Sequence, residues 1–209
     1  LSGYDSVFSD ADAIDLMLMS YSGLSNKRFV ELCQKNGVNA FGFTGLDGQA
    51  VRGKRNSGIK VKEGEKIKLL RDFSGKPQSI NKELFEFFLS KGIVPVLSMP
   101  IADEEGNAIN SENDDVLNVL QQALNASAIV SLIEAPGFLE DKNDENSLVK
   151  KISKTELEER EKQVDGRMKR KLLALRKLFE NNASNVIISD GRTQNPLKDA
   201  LQGKGTLIE

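Results

Sequence analysis

Five short apolar runs punctuate the chain: "VNAFGF" (38–43), "IVPVLSMP" (93–100), "AIVSLIE" (128–134), "NVIISDG" (185–191) and "GTLIE" (205–209). Stretches with helical spacing stand between most of them. A strand buried on both faces reads as a near-continuous apolar run, and strands that alternate with long helices join in parallel through crossovers. Crossovers of one hand place helices over both faces of the sheet. The pattern therefore predicts an α/β fold, a three-layer α/β/α sandwich with a mostly parallel central sheet.

Composition narrows the chemistry. The 209 residues include no histidine, which removes Ser-His and Cys-His nucleophiles, imidazole acid–base catalysis and histidine metal sites. Catalysis must come from lysine, arginine, carboxylates, amides and backbone dipoles, and no metal-ligating set is expected. The net charge of −2 argues against a nucleic-acid binder. No apolar run is long enough to span a bilayer and no signal peptide leads the chain, so a cytoplasmic protein without membrane contact is expected. The lone cysteine, Cys33, suits a reducing compartment and reads as a core residue. The chain begins at Leu1 rather than Met, and a leading segment is expected upstream.

Local signals place the elements. Residues 9–36 read as one long helix capped by Ser9 or Asp10 and closed by Gly37, with Ile14, Met17, Leu18 and Tyr21 as its core stripe. Leu16 and Met19 add apolar surface elsewhere on it, which points to a subunit interface. Gly45–Gly48 forms a tight turn, and alternating apolar and basic residues around Glu63–Gly64–Glu65 predict a β-hairpin. Further helices are expected over 81–89, the second half of "INSENDDVLNVLQQALNA", 165–180 and 196–201. Neither a P-loop nor a dinucleotide G-x-G-x-x-G fingerprint is present.

Three features carry possible chemistry. "DGRMKRK" (165–171) loads Arg167, Lys169, Arg170 and Lys171 into the start of a helix whose core stripe is Met168, Leu172, Leu175 and Phe179. Cations are unfavourable at that end unless an anion sits before them; the plain alternative is solvated surface lysines, with Arg170 and Lys177 in solvent. In "INSENDD", Asn110 and Asp114 flank the start of a helix after a strand, where α/β sheets collect ligands. Ser111-x-x-Asp114 equally fits a capping box. The third is a basic block, Arg52, Lys54, Arg55, Lys60, Lys62, Lys66, Lys68 and Arg71, in an otherwise acidic protein. It reads either as an edge guarded against aggregation or as a docking surface for an acidic partner.

Taken in order, "GLDG" after a strand, "AIN…NDD" opening a helix, "EAPGFL" after the next strand, "GRMKRK" at a helix start and the terminal "GKGTLI" resemble the amino-acid kinases. The likeness covers essentially the whole chain. It is narrowest for acetylglutamate kinase and the kinases acting on aminoadipate or glutamate attached to an amino-group carrier protein. "GRMKRK" with the late "DGR…NP" is most similar to the carrier-linked branch.

The resemblance implies phosphoryl transfer from ATP, with Mg2+, to a side-chain carboxylate, giving an acyl phosphate in arginine or lysine biosynthesis. It implies Lys171 and Asp114 as catalytic residues and Asn110 and Gly45 at the substrate. Lys171, Glu134 and Gly137 fall at the nucleotide. It also implies one kinase domain over 1–209, with a substrate-binding and dimerisation lobe over 1–100 and a nucleotide lobe over 101–209, a homodimer through the first helix, and a small-molecule or carrier-linked substrate. The family's first strand, with its lysine and Gly-Gly loops, is expected upstream of Leu1. The chain departs from the pattern at Val7, where an arginine grips the substrate's α-carboxylate, at Asp115, where glutamine is usual, and at Ile133 and Glu134, where Ser/Thr-Asp is usual. Those departures, with the first strand, keep open a second expectation, a non-catalytic binding or regulatory member of the fold.

Overall fold

The structure, a computed structural model, describes residues 8–63, 66–141, 143–163, 166–180 and 185–209. Side chains at 59–63, 66–69, 163, 166–168 and 170–171 lie outside that description. Val7 and the expected hairpin turn at Gly64–Glu65 therefore fall outside the described residues.

The fold is α/β with mostly parallel sheets, and the described residues divide into two compact units, one running to Ala123 and one from Leu124 to Glu209. In the first unit, strands β1 (Ala40–Gly45), β2 (Val51–Arg55), β5 (Gly75–Ile80) and β6 (Val94–Ala102) form a sheet in the order β1-β6-β2-β5. The two-residue β7 (Ala108–Ile109) is added antiparallel to β6. The β1–β6 register is parallel from Ala40↔Val94 to Thr44↔Ser98, and β2–β5 is antiparallel. Strands β3 (Ile59–Glu63) and β4 (Lys66–Leu70) form a separate two-stranded hairpin.

The first helix runs over the expected residues but is not uniform. It comprises α1 (Ala11–Met17), a π-helical stretch (Leu18–Ser25) and α2 (Asn26–Lys35), with Asp10 capping the Ala13 N–H at 2.8 Å. The π stretch widens the turn, so the inward positions recur every four residues: Ile14, Leu18, Ser22, Asn26 and Val30. Ser22 Oγ donates to the Met99 carbonyl and Asn26 Nδ2 to that of Val96, both on β6. Tyr21, expected in the core stripe, is consequently turned out and 50% exposed. Cys33, expected in the core, is half-buried.

Two clusters fill the unit. Phe41 and Phe43 of β1 gather Phe85 and Phe88 of α3 (Lys82–Ser90), with ring centroids 4.9–5.7 Å apart. The expected helix over 81–89 forms as α3, with the Asn81 side chain capping it by accepting the Leu84 N–H. Val51, Met99, Ile101 and Ile109 pack with Val116 of α4 (Asn113–Leu124), joined by Met17, Val119 and Leu120. Val116 ties α4 to the first unit. The boundary between the units consequently falls after Ala123.

In the second unit, β8 (Ile129–Ile133), β9 (Lys151–Ile152), β10 (Val186–Asp190) and β11 (Thr206–Ile208) form a sheet in the order β8-β10-β11-β9. β8–β10 and β9–β11 are parallel; β10–β11 is antiparallel. Helix α7 (Pro196–Leu201) starts on its proline as expected. Helix α5 (Lys154–Gln163) is not announced by the sequence, because Leu157 is its one buried apolar anchor among the described side chains. It packs against α6 (Gly166–Glu180). On α6, Leu172, Leu175 and Leu178 are buried while Phe179, expected in the stripe, is half-buried under the Lys154 ammonium, 4.9 Å from its ring. Lys177, expected in solvent, is half-buried. Among the described residues, no helix is long and apolar enough to cross a membrane.

Candidate functional site

Asn110 is held by a polar network that reaches 101 residues back along the chain. Its Nδ2 donates to Ser9 Oγ at 3.0 Å. Its backbone N–H donates to the Phe73 carbonyl at 2.7 Å, and its carbonyl accepts the Gly75 N–H at 2.9 Å. Ser9 in turn accepts the Phe73 N–H at its carbonyl and donates its own N–H to Asp72 Oδ1 at 3.1 Å. Asp72 is almost fully buried and also accepts from the Ser74 N–H and Ser74 Oγ. Buried polar groups with all partners in place set a single geometry. The helix start, the foot of the hairpin and the β7–α4 connection therefore meet at one place.

Asp114 stands in the first turn of α4 beside Asp115, where the helix dipole favours carboxylates. The capping-box alternative is not realised on the serine side, since Ser111 Oγ is buried with no hydrogen-bond partner among the described residues. Gly45 has a packing reason to be glycine. It pairs with Ile101 of β6, and an added Cβ would lie 2.8 Å from the Ile101 Cα. Ile101 pairs in turn with Ile109, the residue before Asn110, so Gly45 supports the sheet two strands away from the asparagine.

The feet of the β3–β4 hairpin frame an open cavity of about 460 Å3, lined by Arg55, Gly58, Arg71, Asp72 and the Glu104–Glu105 turn among others. Phe73 lies between two guanidinium groups, with Arg55 3.8 Å and Arg71 5.2 Å from its ring centroid, a cation–π arrangement that holds both in place. Arg55 Nε donates to the Asp72 carbonyl at 2.8 Å, while among the described residues its Nη2 is buried without a partner. Asp103 also lines the cavity and is buried, its carboxylate accepting from the Asn107 and Glu105 N–H groups. Burial works to raise its pKa, but hydrogen bonds from Asn107 and the Glu105 N–H, with the Arg55 charge, hold it below the usual value. Of the basic block, Arg52, Lys54 and Arg71 are exposed and Arg55 half-buried; the lysines of β3 and β4 lie outside the described side chains.

The remaining candidates belong to the second unit. Parallel strands β8 and β10 end together at Ile133 and Asp190, so the loops that follow share one edge of the sheet, the usual ligand edge of such folds. Glu134 is exposed there. Gly137 is buried, and a Cβ on it would come within 2.7 Å of both Leu148 and Thr206. The glycine thus lets its loop lie on β11, fixed by the Phe138 N–H donating to Thr206 Oγ1 at 2.8 Å. Lys171 is the sixth residue of α6, in the second turn rather than the first, and its side chain lies outside the described residues. The first turn of α6 carries no acidic residue.

The "DGR" motif (190–192) holds a charge pair that its family resemblance left without a role. Arg192 forks onto Asp190 at 2.8 and 2.9 Å and reaches Glu145 at 3.2 Å. The guanidinium hydrogen bond, with the Arg192 N–H, holds the Asp190 carboxyl at about 2. The i, i+2 spacing of opposite charges at a strand end was the available signal. For Ser9 and Asp72 no sequence signal exists, because their partners are remote in the chain.

The pattern of the amino acid kinase family matches residues 1–190. The chain is 37% identical over 99% of its length to LysW-aminoadipate kinase of Thermus thermophilus and covers 78% of that protein. It is 31% identical over 96% of its length to acetylglutamate kinase of Methanopyrus kandleri, again covering 78%. In fold it is similar to carbamate kinase of Giardia, with a TM-score of 0.61 at 15% identity, over 90% of this chain and 68% of that one.

Proposed function

This chain belongs to the amino acid kinase family, and we propose that it transfers the γ-phosphoryl group of MgATP to the side-chain carboxylate of aminoadipate or glutamate carried on an amino-group carrier protein. The product is an acyl phosphate, an intermediate of lysine or arginine biosynthesis, made in the cytoplasm. The observation that carries this reading is the 37% identity, over nearly the whole chain, with a kinase named for a carrier-linked substrate. The motifs "AIN…NDD" and "GRMKRK" support it.

The chemistry suits a protein without histidine. A carboxylate nucleophile is already ionised at neutral pH and gives up no proton. Phosphoryl transfer then depends on positioning and on neutralising the charge of the transferred group. In this reading, Asn110 contacts the acceptor, with Gly45 acting through the close packing of β1 on β6. Lys171, in the second turn of α6, neutralises phosphate charge, Asp114 is the second catalytic residue, and Glu134 and Gly137 shape the nucleotide end. Magnesium arrives with ATP as part of the substrate. Arg55, Arg71 and the hairpin lysines form the surface on which an acidic carrier docks, and raising ionic strength weakens that docking.

A homodimer completes the proposal. Leu16, Met19 and Leu24, each more than 60% exposed, line the helix that starts at Ala11, and β1 beside it is a sheet edge. Apolar surface of this extent marks an interface rather than solvent-facing chance. A Leu16→Glu, Met19→Glu variant is expected to sediment as a monomer.

The deciding experiment mixes the protein with MgATP and carrier-linked aminoadipate in the presence of hydroxylamine, which traps an acyl phosphate as a hydroxamate. Hydroxamate is expected with the carrier-linked acceptor at least about tenfold above free acetylglutamate, a difference of roughly 1.4 kcal/mol. No hydroxamate from either acceptor sinks the reading.

A further inference from the structure

Asn110 follows a strand of only two residues, and that strand alone is too short to hold it rigidly. Its side chain is fixed from elsewhere. The carboxamide Nδ2 is committed to Ser9 Oγ, and Ser9 is anchored by donating its N–H to Asp72 Oδ1. Asp72 is 1% exposed. A carboxylate so deeply buried is ordinarily matched by a cation. Among the described residues its oxygens instead accept only from the Ser9 and Ser74 N–H groups and the Ser74 hydroxyl. Three donors converging on two acceptor oxygens hold the carboxylate in one orientation, and everything hung on it inherits that precision.

The network has two branches. One runs from Asp72 through Ser9 to Asn110; the other runs from Asp72 to Ser74 and on to Asn56, whose Nδ2 donates to Ser74 Oγ at 2.8 Å. We propose that Asp72 is a positioning residue for the acceptor: through the Ser9 branch it sets the Asn110 carboxamide, leaving Oδ1 and the second Nδ2 hydrogen directed to the substrate. This deepens the reading of Asn110 as an acceptor contact and rests on it. A purely structural Asp72 serves both branches alike, whereas the positioning role runs through Ser9 only.

The test compares Asp72→Ala, Ser9→Ala and Ser74→Ala in steady-state transfer from MgATP to carrier-linked aminoadipate. Asp72→Ala and Ser9→Ala are expected to raise KM for the acceptor about tenfold with KM for MgATP unchanged, the loss of one hydrogen bond of about 1.4 kcal/mol. Ser74→Ala is expected to lower thermal stability while leaving both KM values in place. The proposal falls if Asp72→Ala and Ser9→Ala lose stability alone, or if Ser74→Ala raises the acceptor KM as far as they do. Should Asp72→Ala not fold, the Ser9→Ala and Ser74→Ala pair decides by the same criterion. A wild-type protein that transfers no phosphoryl group overturns the kinase reading instead. Hydrogen exchange of the Asn110 carboxamide then decides the inference: protection lost in Ser9→Ala and kept in Ser74→Ala supports it, and equal protection in both overturns it.

Discussion

The two units secure their polar groups by opposite means. In the first unit the carboxylates near the candidate site are buried and satisfied mainly by hydrogen bonds. Asp72 and Asp103, 1% and 6% exposed, accept backbone N–H, hydroxyl and amide hydrogens. In Leu124–Glu209 the comparable groups are ion pairs near the surface. Arg160 bridges Glu140 and Glu156 at 2.6–2.8 Å, Arg176 bridges Glu161 and Glu180, and Arg192 bridges Asp190 and Glu145. Buried hydrogen-bonded carboxylates specify geometry and are costly to lose, while exposed ion pairs add little stability and respond to salt. The first unit thus fixes its polar groups by buried hydrogen bonds, the second by ion pairs nearer its surface.

The largest effect expected is chemical rather than structural. Lys171→Ala should lower turnover by about 10²–10³-fold, the usual loss for a preorganised electrostatic stabiliser, with stability changed by less than about 0.5 kcal/mol. Steady-state kinetics beside a urea melt checks it, and near-normal turnover would return Lys171 to the solvated surface. Next comes Asp103→Ala in the first unit. Stranding the Asn107 and Glu105 N–H groups should cost about 2 kcal/mol, read as a shift in urea midpoint independent of salt. Arg160→Ala, which breaks two ion pairs in the second unit, should cost about 1 kcal/mol or less and lose that effect in high salt. If Arg160 proved the costlier of the two, the contrast between the units would be wrong.

The smallest effect is a pH dependence. Asp190 titrates at about 2 in the folded protein against an ordinary 3.8, chiefly through the Arg192 guanidinium. A depressed carboxyl contributes stability above its unfolded pKa, and that contribution drains away as pH falls from about 3.8 through about 2. NMR titration should find the low midpoint, and Arg192→Ala should bring it back toward 3.8. An Asp190 midpoint indifferent to Arg192 would remove the ion pair from the account.

Local signals were legible wherever neighbours in sequence decide the outcome. Asp10 caps the helix it was expected to cap, the helix expected over 81–89 forms, and Pro196 opens α7. The short apolar runs became β1, β6, β8, β10 and β11. What failed was periodicity under tertiary demand. Tyr21 faces outward because the π stretch brings Ser22 and Asn26 onto the carbonyls of β6, an exchange of greasy for polar contact that no helical wheel anticipates. Helix α5 escaped notice because ion pairs and the single anchor Leu157 hold it in place of an apolar stripe. At the candidate site, Asn110 and Asp114 stood out by motif, and Ser9 and Asp72 did not. Gly45 and Gly137 drew attention as loop glycines, yet each sits where the backbone or side chain of another strand leaves no room for a Cβ.

By itself the sequence determined the class of fold, the positions of strands and caps, the exclusion of imidazole chemistry and a short roster of charged candidates. All of these follow from side-chain type and spacing within about one turn or one strand. Only the tertiary structure decided which polar groups hold each other. Ser9 and Asp72 are 63 residues apart, as Ser9 and Asn110 are 101, and hydrogen bonds over such separations exist only once the core has brought the segments together and shut out the water that would otherwise take their place.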